Sequence, residues 1–212
     1  MNWTISPQTV FAASPIVPVM VIKRIEDAVP LAKALLNGGI SVFEITLRTD
    51  VALDAIREIS MALPEAMTGA GTVLTPQQYD AAVEAGAKFV ISPGASTRLL
   101  EHAATQNVPL IPGVSTATEI MNAMDLGYDH LKFFPAEASG GAKALKAISA
   151  PLPQVSFCPT GGINVNNLRD YQALSCVKTV GGTWMIPDDA IESKDWERIT
   201  DLTKTALLSI VK

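Results

Sequence analysis

The chain has 212 residues, of which 48% are hydrophobic and 17% charged, a composition that excludes a disordered protein and predicts a single domain over 1–212. Its net charge is -5 with no run of like charges, which argues against nucleic acid or an anionic membrane as a partner. Its two cysteines, Cys158 and Cys176, form no CxxC motif, which predicts buried, unreactive thiols in a reducing cytoplasm.

The first segment of the chain, 1–11, lacks the basic and then apolar order of a signal peptide. The apolar stretch that follows, 15–22, is too short to cross a bilayer. We therefore expect a soluble protein without a processed leader. A short helix is predicted at 7–13, ahead of the first strand.

Short blocks rich in valine, isoleucine and leucine recur along the chain, with amphipathic segments between them. This alternation predicts repeated βα units and a parallel sheet. Eight such units predict an α/β protein with a closed (β/α)8 TIM barrel and an extra N-terminal helix. The alternative is a doubly wound open sheet, which usually has fewer strands. The eight strand candidates are 16–22, 41–47, 67–72, 89–92, 110–112, 130–134, 155–159 and 178–182.

Two threonines mark helix starts between these strands. Thr75 and Thr116 are each followed, three residues on, by a glutamine or a glutamate, so both read as capping boxes. Thr75 also has a proline at the next position, which suits the first residue of a helix. A last helix is predicted at about 196–211.

In the second strand candidate, polar and apolar residues alternate. Period two places Glu44, Thr46 and Arg48 on one face and three apolar side chains on the other. The apolar set must meet the helices, so a carboxylate and a guanidinium are predicted to point inward near the carboxyl end of the strand. The alternative is a purely structural ion pair.

The sixth strand candidate contains Lys132 in an apolar run where an unpaired ammonium has no structural purpose. Desolvation disfavours a charged amine, so a lysine held inside a barrel can become neutral and attack a ketone. The alternative is a lysine at a strand end that reaches out to water. Alternation places Lys132 and Phe134 inward, which makes Lys132 the leading candidate for chemistry.

In the third strand candidate, Thr68, Ala70 and Thr72 share one face and are expected to point inward. The opposite face carries no side chain at Gly69 and Gly71. The hydroxyl of Thr72 lies at the end of this strand. It is expected to join the polar cluster formed by Glu44, Arg48 and Lys132. Unpaired buried charges are costly, so their convergence at the carboxyl ends of strands indicates an active site.

Glycine pairs follow the last two strand candidates. In β/α barrels, the loops after these strands often bind phosphate through backbone N–H groups, which glycine lets approach an anion. A phosphorylated substrate is therefore predicted. The two histidines, His102 and His130, lack metal-ligand spacing, so neither a metal nor another cofactor is expected. The candidate phosphate-binding residues are Gly161, Gly162, Gly181, Gly182 and Thr183.

Five motifs occur in order along the chain: FEITLRT at 43–49, GAGTVL at 69–74, ISPG at 91–94, KFFPAE at 132–137 and CPTGGI at 158–163. Together they resemble the 2-keto-3-deoxy-6-phosphogluconate (KDPG) aldolases, class I aldolases of the Entner–Doudoroff pathway. The resemblance implies cleavage of this phosphorylated keto acid to pyruvate and glyceraldehyde 3-phosphate, with 4-hydroxy-2-oxoglutarate as a second substrate. It also implies a homotrimer.

The resemblance further assigns roles to the residues that match its motifs. Lys132 would form the Schiff base and Glu44 would be the general acid and base, while Arg48 and Thr72 would grip the substrate carboxylate. Related enzymes commonly have serine where this chain has Thr183. The remaining substrate contacts would come from Pro93 and Phe134, as walls for the pyruvyl group, and from Thr160, which would help set stereochemistry.

Two other functions remain open from the sequence. One is a phosphate-binding isomerase or epimerase, in which Glu44 is a base and Lys132 an electrostatic partner. The other is a non-catalytic sugar-phosphate sensor, although the complete set of Lys132, Glu44, Arg48 and Thr72 argues against a loss of turnover.

Overall fold

The computed structural model describes residues 1–94 and 96–210, in which parallel strands alternate with helices. The strands are β1 Ile16–Met20, β2 Val42–Thr46, β3 Met67–Gly71, β4 Phe89–Ile91, β5 Leu110–Ile111, β6 Gly113–Val114, β7 His130–Phe133, β8 Ser156–Pro159 and β9 Val180–Gly182. The α-helices are α1 Pro7–Ala13, α2 Ala28–Asn37, α3 Ala52–Ala62, α4 Pro76–Glu84, α5 Thr97–Ala104, α6 Ala117–Asp125, α7 Gly141–Ser149, α8 Leu168–Gln172, α9 Asp188–Glu192 and α10 Trp196–Leu208, with a 3-10 turn at Ile25–Asp27.

The strands form two sheets, which overturns the predicted closed eight-stranded (β/α)8 barrel. One sheet has six strands in the order β5-β4-β3-β2-β1-β9, and the other has three in the order β6-β7-β8. Pro112 separates β5 from β6, and a proline cannot donate a ladder hydrogen bond. Between β8 and the chain near β9, only the isolated bridges Phe157↔Val177 and Thr160↔Gly181 form. The parallel βα order and the helix at 7–13 are confirmed.

Burial of aromatic side chains orients the strands. Phe43 and Phe133 are fully buried in the apolar core, as the alternation in their strands predicts. Each contributes about 1.5–3 kcal/mol by leaving water, and a slip of one residue would move every side chain of its strand to the opposite face. The same burial therefore turns Glu44 and Lys132 away from the helices.

Capping residues set where the helices begin. The Thr116 side chain accepts from the Glu119 N–H, and the Glu119 carboxylate accepts from the Thr116 N–H, which confirms this capping box. At α4, Thr75 accepts from Gln78 N, but the Gln78 side chain binds the N–H of Leu74, so the second predicted box is only half formed. The last helix begins at Trp196 as predicted, and residue 211 lies outside the described residues.

In the part of the chain that the structure describes, no helix has both the length and the apolar character needed to span a membrane. Cys158 is buried, as predicted, and Cys176 is half-buried.

Candidate active site

A buried ion pair joins the two sheets. The Nζ atom of Lys132, on β7, lies 2.9 Å from Oε1 and 3.3 Å from Oε2 of Glu44, on β2. Their side chains are only 7% and 2% exposed. Such a pair pays a large desolvation penalty and is weak evidence for stability, so its presence between two apolar strands favours a chemical role.

Gly71 makes room for Glu44. A side chain at Gly71 would place its Cβ 2.2 Å from Oε1 of Glu44, and Gly69 pairs with Glu44 across the parallel ladder. Because paired residues of neighbouring strands point to the same side, Gly69 and Gly71 face inward. The prediction that Thr68 and Ala70 point inward is therefore wrong, because both pair with outward residues of β2.

Thr72, directly after β3, has an unusual backbone conformation and contacts Arg48. Its φ angle is 58°, a left-handed conformation that is uncommon outside glycine, and it breaks the alternation directly after β3. Its hydroxyl accepts a hydrogen bond of 3.3 Å from Nε of Arg48, which is exposed at the carboxyl end of β2. Thr46, by contrast, donates to the carbonyl of Met20 and has a structural role.

An aromatic ring lies beside Lys132. Its Nζ lies 5.3 Å from the centroid of the Phe134 ring, within the range of a cation–π contact. Gly113 pairs with Lys132 on the neighbouring strand, and a Cβ there would lie 2.3 Å from the carbonyl oxygen of Pro93. The ring of Phe134 thus lies beside the amine, and the backbone carbonyl of Pro93 lies close to Gly113, the ladder partner of Lys132.

Cys158 is a neighbour of the ion pair that sequence reasoning treated only as an inert thiol. It pairs with Lys132 across the ladder, and its Sγ lies 3.8 Å from the hydroxyl of Thr160. Burial raises the pKa of Cys158 to about 12, although the nearby Lys132 acts in the opposite direction. The thiol is therefore protonated and not nucleophilic at neutral pH. Period-two spacing from Thr160 would have placed Cys158 on the site face.

The two glycine pairs lie close together, and glycine is needed in each pair for a different reason. Gly161 and Gly162 have φ angles of 104° and 78°, which other residues rarely adopt. Among the described residues, their N–H groups donate to no protein acceptor. Gly181 and Gly182 are close-packing positions, since a Cβ would lie 2.2 Å from Oγ1 of Thr160 or 1.9 Å from the indole of Trp184. The bridge Thr160↔Gly181 brings both loops together, and Thr183 is exposed beside them.

Other features of the surface do not compete with this site. An open groove of about 830 Å³ lies between α7 and α8, lined by Lys143, Lys146 and Cys176, and within the described residues no side chain of its lining forms a salt bridge. His102 and His130 each lie within hydrogen-bond distance of an aspartate. Within 1–94 and 96–210, no group of three His, Cys, Asp or Glu residues is arranged to bind a metal.

Comparison with known proteins gives consistent matches over nearly the whole chain. Residues 8–202 match the family model described as KDPG and KHG aldolase. The KHG/KDPG aldolase of Escherichia coli (strain K12) is 54% identical over 206 residues, which are 97% of this chain and 97% of that one. The 2-dehydro-3-deoxy-phosphogluconate aldolase of Dickeya dadantii (strain 3937) is 52% identical over 206 residues, again 97% of each.

Solved structures of KDPG aldolases have the same fold as this chain. The KDPG aldolase of Legionella pneumophila, with pyruvate captured at low pH as a covalent carbinolamine, superposes with a TM-score of 0.94 at 51% identity, covering 96% of this chain and 98% of that one. The Zymomonas mobilis ZM4 enzyme with 3-phosphoglycerate gives a TM-score of 0.91 at 44% identity, covering 96% and 95%.

Proposed function

The chain belongs to the KDPG and KHG aldolase family, and we propose from this premise that Lys132 and Glu44 carry out its chemistry. It is a class I aldolase that cleaves KDPG to pyruvate and glyceraldehyde 3-phosphate, and 4-hydroxy-2-oxoglutarate to pyruvate and glyoxylate. The observation that supports the residue assignment is the buried 2.9 Å contact between Nζ of Lys132 and Oε1 of Glu44.

The first step is attack of the amine on the C2 ketone. Transfer of a proton from Lys132 to Glu44 within the ion pair leaves a neutral amine and a carboxylic acid. As the C–N bond forms, the carbonyl oxygen takes up the π electrons and a proton. Loss of this oxygen as water, with Glu44 shuttling the protons, converts the carbinolamine to an iminium.

The iminium then accepts the electrons of the breaking bond. Glu44, again a carboxylate, takes the proton of the C4 hydroxyl through a water molecule. The C4 oxygen forms the aldehyde carbonyl, and the C3–C4 electron pair moves into an enamine on Lys132. Protonation at C3 and addition of water at C2 release pyruvate and the free lysine. A carboxylate already in contact with the nitrogen can serve each of these proton transfers.

Substrate orientation is assigned to the groups around the pair. The guanidinium of Arg48 suits the substrate carboxylate because its planar donors match two oxygens, and the hydroxyl of Thr72 lies beside it. Pro93 and Phe134 would wall the pyruvyl group, and Thr160 would contact the alcohol carbon.

The distal phosphate is assigned to the loops after β8 and β9. The N–H groups of Gly161 and Gly162, which have no acceptor within the described part of the chain, support this assignment, as does the adjoining backbone of Gly181 and Gly182. The side chain that would complete this set is Thr183, whose methyl group adds bulk beside the anion.

We further propose a homotrimer in the cytoplasm, acting in the Entner–Doudoroff pathway. The resemblance supports the trimer and the pathway, and two free thiols fit a reducing compartment. Sedimentation velocity tests the assembly, and a particle of one chain or two would contradict it.

The test of the catalytic assignment is pyruvate release coupled to lactate dehydrogenase, with KDPG and 4-hydroxy-2-oxoglutarate. Lys132→Met removes the amine while keeping a linear side chain. We expect it to abolish turnover of both substrates while the protein remains folded by circular dichroism. Turnover within tenfold of the parent would show that another residue is the nucleophile. If the protein were an isomerase or a sensor, even the parent would release no pyruvate.

A further inference from the structure

A carboxylate and a phenol link the strand of Lys132 to the Gly161–Gly162 loop. The hydroxyl of Tyr171, on α8, donates to Oε1 of Glu137, which follows the strand of Lys132. Tyr171 is fully buried, so its hydroxyl has no solvent alternative. The mechanism above uses neither residue.

Glu137 holds the loop at its backbone as well as at its carboxylate. Its N–H donates to the carbonyl of Gly161 at 3.0 Å, and the N–H of Ala136 donates to the carbonyl of Thr160 at 2.8 Å. Its aliphatic part packs against Gly162, where a Cβ would lie only 2.7 Å from Cγ of Glu137. The loop therefore packs against the aliphatic part of the Glu137 side chain, and the hydrogen bond from Tyr171 holds the carboxylate at its end.

The charge of Glu137 makes direct phosphate binding by this side chain unreasonable. A carboxylate beside an anion site repels the anion, and among the described residues Glu137 forms no salt bridge that would neutralise it. Burial, and then the hydrogen bond to Glu137, raise the pKa of Tyr171, so the phenol stays a neutral donor. A hydrogen bond from a neutral donor to a carboxylate is stronger than one between neutral groups, which suits a fixed support.

We propose that Glu137 and Tyr171 are positioning residues that hold the Gly161–Gly162 loop in the conformation that accepts the substrate phosphate. This inference rests on the phosphate site of the proposed function. We call these two residues the Glu137–Tyr171 clamp. Because the clamp holds the loop that receives the distal phosphate and leaves the ion pair of Lys132 in place, its loss should reduce activity on the phosphorylated substrate selectively.

Tyr171→Phe removes the hydroxyl and keeps the buried ring. We expect kcat/KM for KDPG to fall about tenfold, mainly through KM, since a charge-assisted hydrogen bond is lost and the loop shifts. Turnover of 4-hydroxy-2-oxoglutarate should stay within about twofold of the parent. Glu137→Gln keeps an oxygen that can accept from Tyr171, so it should retain more KDPG activity than Glu137→Ala.

Steady-state kinetics with both substrates, with thermal melting as the folding control, decides the question. Equal losses for the two substrates, or no loss for KDPG in Tyr171→Phe, would overturn the positioning role. Gly162→Val, measured in parallel, tests the phosphate site itself. If Gly162→Val selectively loses activity on KDPG and Tyr171→Phe does not, the positioning role is refuted while the phosphate site stands. If Gly162→Val harms both substrates equally in a folded protein, the proposed phosphate site fails.

Discussion

A methyl group at Gly71 offers a sharp test of how closely Glu44 must be held. The Cβ of Gly71→Ala would lie 2.2 Å from Oε1 and 2.6 Å from Cγ of Glu44, where ordinary contact begins at 3.4 Å. The carboxylate must therefore retreat by about 1 Å from its place beside Lys132, and a displacement of that size at a reacting group costs roughly a hundredfold in rate. We expect kcat to fall about a hundredfold for both substrates.

The structure supplies a matched control for this variant. Gly94 follows β4, a strand of the same sheet, but a Cβ there meets no atom of the described residues within 4 Å. Gly94→Ala should therefore keep parental turnover. Overpacking at Gly71 should also destabilise the fold by about 1–3 kcal/mol, which thermal melting would detect. Parental kcat in a folded Gly71→Ala protein would refute the claim that Glu44 must stay within hydrogen-bond distance of Lys132.

Three further predictions follow from single contacts. Glu44→Gln should lower turnover by roughly two to four orders of magnitude and leave imine formation slow but detectable; near-parental turnover would assign the proton shuttle elsewhere. Gly162→Val should reduce kcat/KM for KDPG far more than for 4-hydroxy-2-oxoglutarate, because a side chain strains the left-handed backbone and strikes Glu137. Desolvation of Glu119 would raise its pKa, but hydrogen bonds from Ser115 and Thr116 lower it below the ordinary 4.5, so its stabilisation is present above pH 4.5 and is lost as the pH falls through the folded pKa. Glu119→Gln should thus lower the melting temperature at pH 7, with a difference that shrinks as the pH falls below 4.5; a constant difference would contradict this.

Local pattern was enough to predict that Glu44 and Lys132 both point inward. Alternation in β2 and β7 turned Glu44 and Lys132 away from the buried Phe43 and Phe133, and the structure brings them together across 88 positions of sequence. The prediction worked because apolar burial on one face leaves a strand only one orientation.

The face of β3 could not be predicted in the same way. Its residues are small, so hydrophobicity did not choose between Gly69 and Thr68. The choice depends on pairing with Glu44, a long-range contact. The positive φ angle of Thr72, whose hydroxyl accepts from Arg48, is also not encoded by alternation.

The division into two sheets and the contact between Glu137 and Tyr171 also depend on residues that are distant in sequence. Pro112 is visible in the sequence as a residue that interrupts a ladder, but the pairing of Thr160 with Gly181 is set by the packing of the whole chain. Glu137 lies 34 positions from Tyr171, and neither residue stands out in the sequence.

The most direct test of the central claim is reductive trapping of pyruvate. The protein is incubated with pyruvate and sodium borohydride, digested, and mapped by mass spectrometry, with Lys132→Met as the control. We predict one reduced adduct, on Lys132, absent from the variant and accompanied by loss of aldolase activity. An unmodified Lys132 in inactivated protein, or an adduct on another lysine, would contradict the assignment of Lys132 as the Schiff-base residue.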